Sequence, residues 1–247
     1  GFWGWEVVPP DALADVYFER TRLILGREDL NPVATMEIFS AGPGVLCGMR
    51  EVLALLAMVL PKDAQVWALE EGADMAEREV VLRITAPYRA YGLYETAILG
   101  MLAHKSGWAT GARECVRAAG NIPVVSFGAR HVHPRVSAQM EYAAIVGGCT
   151  GCATTAGASL AGCKPTGTIP HALVLIFGDT VEATKAFHRH VEPGVQRVAL
   201  VDTFRDEAEE SLRVAAALGR GLWGVRLDTP AERGHVTPWL AKEVRAR

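Results

Sequence analysis

The chain has 247 residues, a formal net charge of −3 and 21% charged residues. A chain of this length can bury a substantial core, and this charged fraction argues against disorder. The slightly negative charge excludes a general attraction to nucleic acid. The longest apolar run, residues 52–60, is too short to span a bilayer, and the amino terminus lacks a basic-then-apolar signal pattern. We expect a soluble cytoplasmic protein that binds neither nucleic acid nor a membrane.

The five cysteines are odd in number and lack the dense spacing of a secreted, disulfide-rich domain. This pattern favours reduced thiols. Cys149 and Cys152 form a CxxC motif, but no second pair and no histidine couplet accompanies it. The sequence therefore predicts no metal site at these cysteines.

The first hundred residues predict an α/β domain that contains a small antiparallel β module. Two segments repeat apolar residues at helical spacing, and two others are short runs typical of strands. Pro87 closes the module, and a long helical segment follows. We expect an amino-terminal domain at residues 1–104 and a second domain at 105–247. The predicted helices are 11–25 and 49–60. Two short strands are predicted within residues 31–48, on either side of Gly42–Gly44, and the predicted strands of the module are 65–69 and 80–84.

From Pro123 onward the chain repeats a strand-then-helix rhythm, which is typical of a parallel sheet flanked by helices. The run 198–201 is apolar without alternation, as a strand buried on both faces requires. We therefore predict a partial (β/α) barrel. Its five predicted strands are residues 124–128, 143–148, 167–171, 198–203 and 224–229.

The last two predicted strands both end in Asp-Thr, at Asp202 and Asp228. Reactive groups in parallel α/β architectures collect at the carboxyl ends of strands. Two carboxylates there could bind a cation, a ribose diol or both. Alternatively, each aspartate only caps the following helix or turn. Since Thr229 already supplies a predicted cap for the last helix, we favour a functional role for the pair.

Other polar and aromatic residues also follow predicted strands. Phe127 could stack on a flat ring while Arg130 binds its carboxylate, because arginine offers a planar pair of donors. The alternative is that Phe127 belongs to the core and Arg130 is a surface charge. His171 could act as acid, base or nucleophile at the same rim, although a lone histidine is more often structural.

These motifs together resemble nicotinate phosphoribosyltransferase, in the branch of that family found in archaea and some bacteria. They occur in the family's order along nearly the whole chain, and as a set they are specific. The matching segments are DVYFERT at 15–21, SFGAR with HP within 126–134, GGC at 147–149, TGTIPHALVLIFGD at 166–179, LVDTF at 200–204 and RLDTP at 226–230.

The resemblance implies a fold and an activity. The fold is an α/β amino-terminal domain packed against an incomplete (β/α) barrel with parallel strands, in a homodimer. The activity is transfer of ribose phosphate from phosphoribosyl diphosphate to nicotinate, coupled to hydrolysis of ATP, in NAD biosynthesis. Breaking the ribose C1–oxygen bond builds positive charge on the sugar and negative charge on the diphosphate. Carboxylates near the ribose and Mg²⁺ on the diphosphate would stabilise both charges.

The resemblance also implies roles for individual residues. His171 is the histidine phosphorylated by ATP, and Phe127 stacks on the pyridine ring. Tyr17 closes the other face of the ring from the partner subunit, and Arg130 lies near the ring substituent. The predicted catalytic residues are His171, Asp202 and Asp228, and the predicted substrate-binding residues are Tyr17, Ser126, Phe127, Arg130, Thr168 and Arg226.

The family continues beyond the position of Arg247, so we expect a chain that is truncated at its carboxyl end or completed by another chain. Two alternative functions stay open. A quinolinate phosphoribosyltransferase, which decarboxylates its substrate, shares the broad fold but needs more cationic side chains than the pocket segments plainly provide. A non-catalytic fragment or binding subunit would also explain the missing phosphate loops, whereas the retained His171 and aspartates argue against it.

Overall fold

The computed structural model describes residues 9–247, so the first eight residues of the predicted amino-terminal domain lie outside the described residues. The chain is a mixed α/β protein that forms two compact units, Gly1–Thr166 and Gly167–Arg247. Both units contain a pair of parallel strands, which confirms the predicted α/β class. The described residues do not close into a barrel, and none of their helices has the length and apolar character needed to cross a membrane.

The described part of the first unit begins with a short 3₁₀ turn and then alternates helices with strands. Its helices are α1 (Val16–Arg27), α2 (Met49–Val59), α3 (Tyr88–Tyr91), α4 (Glu95–Ala119), α5 (Pro134–Val146) and α6 (Thr155–Ala161). Its strands are β1 (Val33–Phe39), β2 (Gly44–Val45), β3 (Gln65–Ala68), β4 (Asp74–Met75), β5 (Val80–Pro87), β6 (Val125–Ser126) and β7 (Gly151–Cys152).

The predicted antiparallel module is confirmed and has a third strand. Strand β5 lies between β1 and β3, and Ile84 pairs with Met36 on one side and Val66 on the other. Ile84 and Leu82 are fully buried with apolar residues of α2 and α4. This central position explains why β5 is the most apolar strand of the module.

A half-buried glutamate, Glu71, joins this module to α5. Glu71 accepts hydrogen bonds from the backbone N–H of Gly48 (2.8 Å) and Arg50 (3.0 Å) at the start of α2, and from the Tyr142 hydroxyl (3.2 Å). Burial alone would raise the pKa of Glu71, but these hydrogen bonds outweigh it and the pKa is lowered. Burial and the Glu71 carboxylate raise the pKa of Tyr142 to about 12.

The parallel strand pair of the first unit is short. Between its two strands, the chain forms helix α5, whose last turn was predicted as a strand. Val125 pairs with Gly151, and Ser126 with Cys152. The predicted strand at 143–148 is wrong, because residues 143–146 form the last turn of α5. Met140, Glu141, Ala143 and Ala144 are buried along this helix, so its apolar run reflects a buried helical face rather than a strand.

The second unit confirms the predicted β-α-β arrangement after Arg197. Strand β8 (Val198–Leu200) pairs in parallel with β9 (Gly224–Arg226). Leu200 packs in one apolar cluster, while Ala199 and Val201 pack in another, so β8 is buried on both faces as predicted. The helices of this unit are α7 (His171–Phe177), α8 (Thr180–His190), α9 (Glu207–Leu218) and α10 (Pro238–Ala246).

Residues 167–171 are not the predicted strand. They have no strand partner, and His171 is the first residue of α7, with the extended Pro170 before it. Proline has no N–H to give to a sheet, and it places the next residue readily in a helical turn. His171 therefore lies at a helix start rather than at a strand end.

Candidate active site

Three ionisable side chains meet at the carboxyl ends of β8 and β9. The imidazole Nε2 of His171 lies 2.9 Å from Oδ2 of Asp202, and its Nδ1 lies 4.0 Å from Oδ2 of Asp228. The Asp202 side chain is 1% exposed, while those of His171 and Asp228 are 40% and 49% exposed. The buried aspartate therefore fixes the imidazole, and the solvent-facing aspartate leaves an open side for a ligand.

Arginine and threonine side chains extend this group. Arg226 Nη1 donates to the Thr168 hydroxyl at 2.8 Å, and its Nη2 pairs with Asp228 Oδ2 at 2.5 Å. Asp228 is thus shared between an imidazole and a guanidinium. We call Thr168, His171, Asp202, Arg226 and Asp228 the His171 cluster. All five had been predicted as site residues, and all five lie in the second unit.

The alternative that Asp202 only caps a helix does not fit the hydrogen bonds. Helix α9 is capped by Asp206, whose Oδ1 accepts from the N–H groups of Ala208 (3.0 Å) and Glu209 (3.1 Å). Asp202 instead binds His171 through Oδ2, and its Oδ1 is buried without a hydrogen-bond partner in the described part of the chain. A buried carboxylate oxygen without a partner is costly unless a ligand satisfies it.

Two interactions missed by the sequence reasoning hold the cluster in place. Arg233 donates from Nη1 to the backbone carbonyl of Asp202 (2.7 Å) and from Nη2 to that of Arg205 (3.3 Å). Thr229 was predicted to cap a last helix. That prediction is wrong, because residues 231–233 form only a 3₁₀ turn, and the Thr229 hydroxyl donates to the buried Glu207 at 2.7 Å. This bond fixes the backbone next to Asp228.

The remaining predicted residues lie in the first unit. Ser126 ends β6, and the next residue, Phe127, is 44% exposed. Arg130 is exposed on the 3₁₀ turn Gly128–His131. Tyr17 lies on α1, 55% exposed, and donates to Asp15 at 3.2 Å. Phe127 is therefore not a core residue, although the prediction that these side chains share one cleft with the His171 cluster stays a prediction.

A buried carboxylate supports the loop that follows β7. Glu141, which is 0% exposed, accepts from the N–H groups of Ala153 (3.0 Å) and Thr154 (3.2 Å) and from the Thr154 hydroxyl. Gly157 lies so close that a Cβ there would be 2.1 Å from Glu141 Oε2. No local signal marks Glu141 as a loop anchor, since it lies between Met140 and Tyr142 in a largely apolar run.

The carboxylates of the His171 cluster fit the predicted Mg²⁺. No set of three or more His, Cys, Asp or Glu side chains among residues 9–247 is arranged to hold a metal alone. Mg²⁺, however, is usually bound by one or two carboxylates together with substrate phosphates. Asp202, with its unpartnered oxygen, and Asp228 are donors of this kind.

Two protein-family models match the chain in succession. Residues 15–106 match the N-terminal domain of quinolinate phosphoribosyl transferase, and residues 108–240 match its C-terminal domain. The models meet within α4, close to the predicted boundary after residue 104. The boundary itself stays a prediction, since the compact units divide after Thr166.

Curated relatives match only part of the chain. A nicotinate phosphoribosyltransferase of Mycobacterium tuberculosis is 31% identical over 167 residues, which are 66% of this chain and 36% of the relative. The corresponding protein of Bacillus subtilis is 28% identical over 166 residues, 66% of this chain and 34% of the relative. The chain thus spans about a third of the length of these relatives.

Solved structures match nearly all of the chain. A nicotinate-nucleotide pyrophosphorylase from Pyrococcus furiosus is 39% identical with a TM-score of 0.91, and the match covers 99% of this chain and 64% of that one. NadC from Streptococcus pyogenes is 17% identical with a TM-score of 0.65, covering 93% of this chain and 81% of that one. The second likeness concerns the fold alone.

These matches correct the predicted activity. The ATP-coupled nicotinate phosphoribosyltransferase is contradicted, because both family models describe quinolinate phosphoribosyl transferase and the pyrophosphorylase structure that is 39% identical matches along 99% of the chain. The matches to nicotinate phosphoribosyltransferases are partial and of low identity. The motifs that suggested nicotinate are therefore compatible with a wider superfamily of nicotinate and quinolinate enzymes.

Proposed function

Because this chain belongs to the quinolinate phosphoribosyltransferase family, we propose that it transfers ribose phosphate from phosphoribosyl diphosphate to quinolinate. The reaction releases diphosphate and one carboxyl group as CO₂, and it leaves nicotinate mononucleotide for NAD biosynthesis. The observation that carries this proposal is the imidazole of His171 held between Asp202 and Asp228 at the ends of two parallel strands.

The carboxylates suit the charge that develops on the sugar. As the bond from ribose C1 to the diphosphate oxygen breaks, positive charge grows on the ribose ring. Asp202 and Asp228 are carboxylates of the same cluster, and the buried Oδ1 of Asp202 has no hydrogen-bond partner among the described residues. Both carboxylates stabilise the transition state, in which the ribose ring is positively charged, more than the ground state, in which the ring is uncharged. Mg²⁺ bound by these carboxylates and by diphosphate oxygens would stabilise the leaving group.

The cationic side chains suit a substrate with several negative charges. Arg226 is fixed by Thr168 and Asp228, so its planar donor group is oriented before a ligand binds. Arg130 offers a second guanidinium in the first unit, next to the exposed ring of Phe127 in sequence. Quinolinate carries two carboxylates on a flat ring. Guanidinium groups suit the carboxylates, and an exposed phenyl ring suits the flat face of the pyridine.

The test is a product assay with both pyridine substrates. The chain, phosphoribosyl diphosphate and Mg²⁺ should convert quinolinate labelled at the 2-carboxyl into nicotinate mononucleotide with an equal amount of labelled CO₂. ATP should not change the rate, because diphosphate release alone drives the step. Turnover of nicotinate without turnover of quinolinate would overturn the proposal. Turnover of neither substrate would support the binding-subunit alternative.

We also propose that the working form is a homodimer. Tyr17 is 55% exposed on α1. Its hydroxyl donates to Asp15 and the centre of its ring lies 4.4 Å from that of Phe18, so the exposed part of the ring is available to a second copy. Light scattering after gel filtration should give twice the mass of the chain. A monomeric protein that retains full turnover would contradict this role for Tyr17.

A further inference from the structure

A cavity of about 610 Å³ lies in the second unit at the amino ends of β8 and β9. Arg197 precedes β8 and Trp223 precedes β9, and the Trp223 N–H donates to the Arg197 carbonyl at 2.8 Å. Both residues line the cavity. The His171 cluster follows the opposite, carboxyl ends of the same strands. The cavity is therefore separate from the candidate active site.

The cavity is lined by cationic side chains and by no acidic residue. Arg189 comes from the end of α8, Arg197 directly precedes β8, and Arg220 lies on the turn after α9, while His188 is a neighbour of Arg189. Within the described chain, no carboxylate lies within ion-pair distance of these three arginines, whereas Arg205 and Arg213 of the same unit are both paired. Several like charges around one cavity create a positive potential that attracts anions.

Arg197 is a fixed part of the cavity wall. The residue is 6% exposed, its guanidinium lies 5.3 Å from the centre of the Phe187 ring, and its Nε has no hydrogen-bond partner in the described chain. Its terminal nitrogens donate to backbone carbonyls at the end of α8 and in the following loop. The dipoles of these carbonyls partly balance the charge of Arg197, as at any helix carboxyl end. They do not balance the charge of Arg220, which lies on a different loop. The carbonyls are those of His188, Val191, Glu192 and Val195.

The other side of the cavity is apolar and aromatic. The Trp223 side chain is 66% exposed, and Leu222 lies beside it in the lining. The imidazole of His188 packs over Gly221, since a Cβ at that glycine would lie 3.2 Å from His188 Cε1. This contact joins the end of α8 to the turn after α9, so both walls of the cavity are fixed to each other.

We propose that this cavity, lined by His188, Arg189, Arg197, Arg220, Leu222 and Trp223, is a second ligand site for a nucleotide. Arg189 and Arg220 bind its phosphates, because guanidinium groups match phosphate oxygens with paired donors. Trp223 stacks on its base through the exposed indole face. The buried positive charge of Arg197 in the cavity wall adds to the electrostatic attraction for the phosphates. The volume lies within the usual range for small-molecule sites.

Isothermal titration with two probes tests this site. ADP carries a base and phosphates, while inorganic diphosphate carries the charge alone. The double variant Arg189→Ala/Arg220→Ala should bind both probes about tenfold more weakly or worse. Trp223→Ala should weaken ADP and leave diphosphate unchanged. Since these side chains are exposed, the variants should keep the melting temperature of the parent chain.

Two control variants separate this site from other sources of binding. Arg245→Ala removes an exposed guanidinium on α10 and should leave ADP affinity unchanged. His171→Ala alters the candidate active site and should also leave ADP binding at this cavity unchanged. ADP binding that is absent from the parent chain, insensitive to the Arg189/Arg220 double variant, or abolished by His171→Ala would overturn the proposal. An unchanged ADP affinity in Trp223→Ala would overturn stacking of the base.

Discussion

The two parallel strand pairs, β6–β7 in the first unit and β8–β9 in the second, use opposite chemistry to anchor the loops at their carboxyl ends. After β7, the buried carboxylate of Glu141 accepts hydrogen bonds from the N–H groups of Ala153 and Thr154. After β8, Arg233 donates to the backbone carbonyls of Asp202 and Arg205. Loop backbone groups need partners that the sheet does not supply, so each pair depends on a charged side chain from elsewhere in its unit.

The pairs also differ in what they present at this end. The second carries acidic groups and an imidazole in contact with one another. The first carries an exposed aromatic ring and a guanidinium on the turn after β6, at Phe127 and Arg130. Under the proposed function, the second pair would carry bond breaking and the first would recognise the pyridine ring. Asp202→Asn and Phe127→Ala test that division, while Glu141→Ala and Asp179→Asn test the charged groups that stabilise each unit.

The largest effect is expected from Asp202→Asn. The change keeps the shape of the side chain but removes the negative charge that holds His171 and that, in the proposed reaction, stabilises positive charge on the ribose. We expect kcat for formation of nicotinate mononucleotide to fall about 10²–10³-fold, with a much smaller change in KM. Steady-state kinetics with phosphoribosyl diphosphate and quinolinate measure both constants.

Asp206→Asn is a matched control for this loss. Asp206 lies on the same loop, and its side chain caps α9 without contacting His171. Asparagine is as good a cap as aspartate, so kcat should stay near that of the parent chain. Equal losses in both variants would show that the charge of Asp202 has no special part in the reaction.

A large effect on stability, rather than on chemistry, is expected from Glu141→Ala. The substitution leaves the N–H groups of Ala153 and Thr154 without their buried acceptor. We expect the free energy of unfolding to fall by about 2 kcal/mol or more, measured by urea denaturation at unchanged m value. Glu114→Ala on α4, where the side chain is exposed, should change it by less than about 0.5 kcal/mol. Similar effects of both variants would contradict an anchoring role for Glu141.

The second pair was predictable from sequence, and the first was predictable only in part. Signals around β8 are local: the apolar run Val198–Val201 and the two Asp-Thr endings. Around β7 the signals are not local, because residues 143–146 pack as a helix whose buried Glu141 binds a loop twelve and thirteen residues away. A short apolar run cannot distinguish a buried strand from a buried helical face.

The same reason explains the errors within the candidate site. The sequence at Thr229 has the form of a capping box, but a buried carboxylate 22 residues earlier takes the hydroxyl instead. Arg233 has no sequence signal, since a lone arginine in a polar loop is ordinarily a surface charge. The choice between nicotinate and quinolinate was wrong for a related reason: the matching motifs occur in a superfamily that includes both kinds of enzyme, so they do not identify the ring substituent.

A smaller effect, on binding, is expected from Phe127→Ala. Loss of the exposed ring removes an aromatic contact worth roughly 1 kcal/mol, so KM for quinolinate should rise about five- to tenfold while kcat changes little. The same kinetics that test Asp202 measure this split. Phe204→Ala, which removes an aromatic ring of similar exposure from the loop after β8, is the control and should leave KM for quinolinate unchanged. A fall in kcat without a rise in KM would contradict the division of labour.

The smallest effect is expected from Asp179→Asn, which concerns the helices that flank the second pair. Asp179 accepts from Arg213 at 2.7 Å, and this bond, opposed by partial burial, lowers the pKa of the carboxyl group. A lowered folded-state pKa means that the charge stabilises the fold above the unfolded pKa of about 4, and that this contribution disappears as pH falls through the lower folded value. Asparagine keeps the cap of α8 but not the charge. The stability difference between the parent chain and the variant, measured by urea denaturation, should therefore be greatest at pH 6 and should shrink below pH 4. A difference that stays constant over this range would mean that the Arg213 pair does not stabilise the second unit.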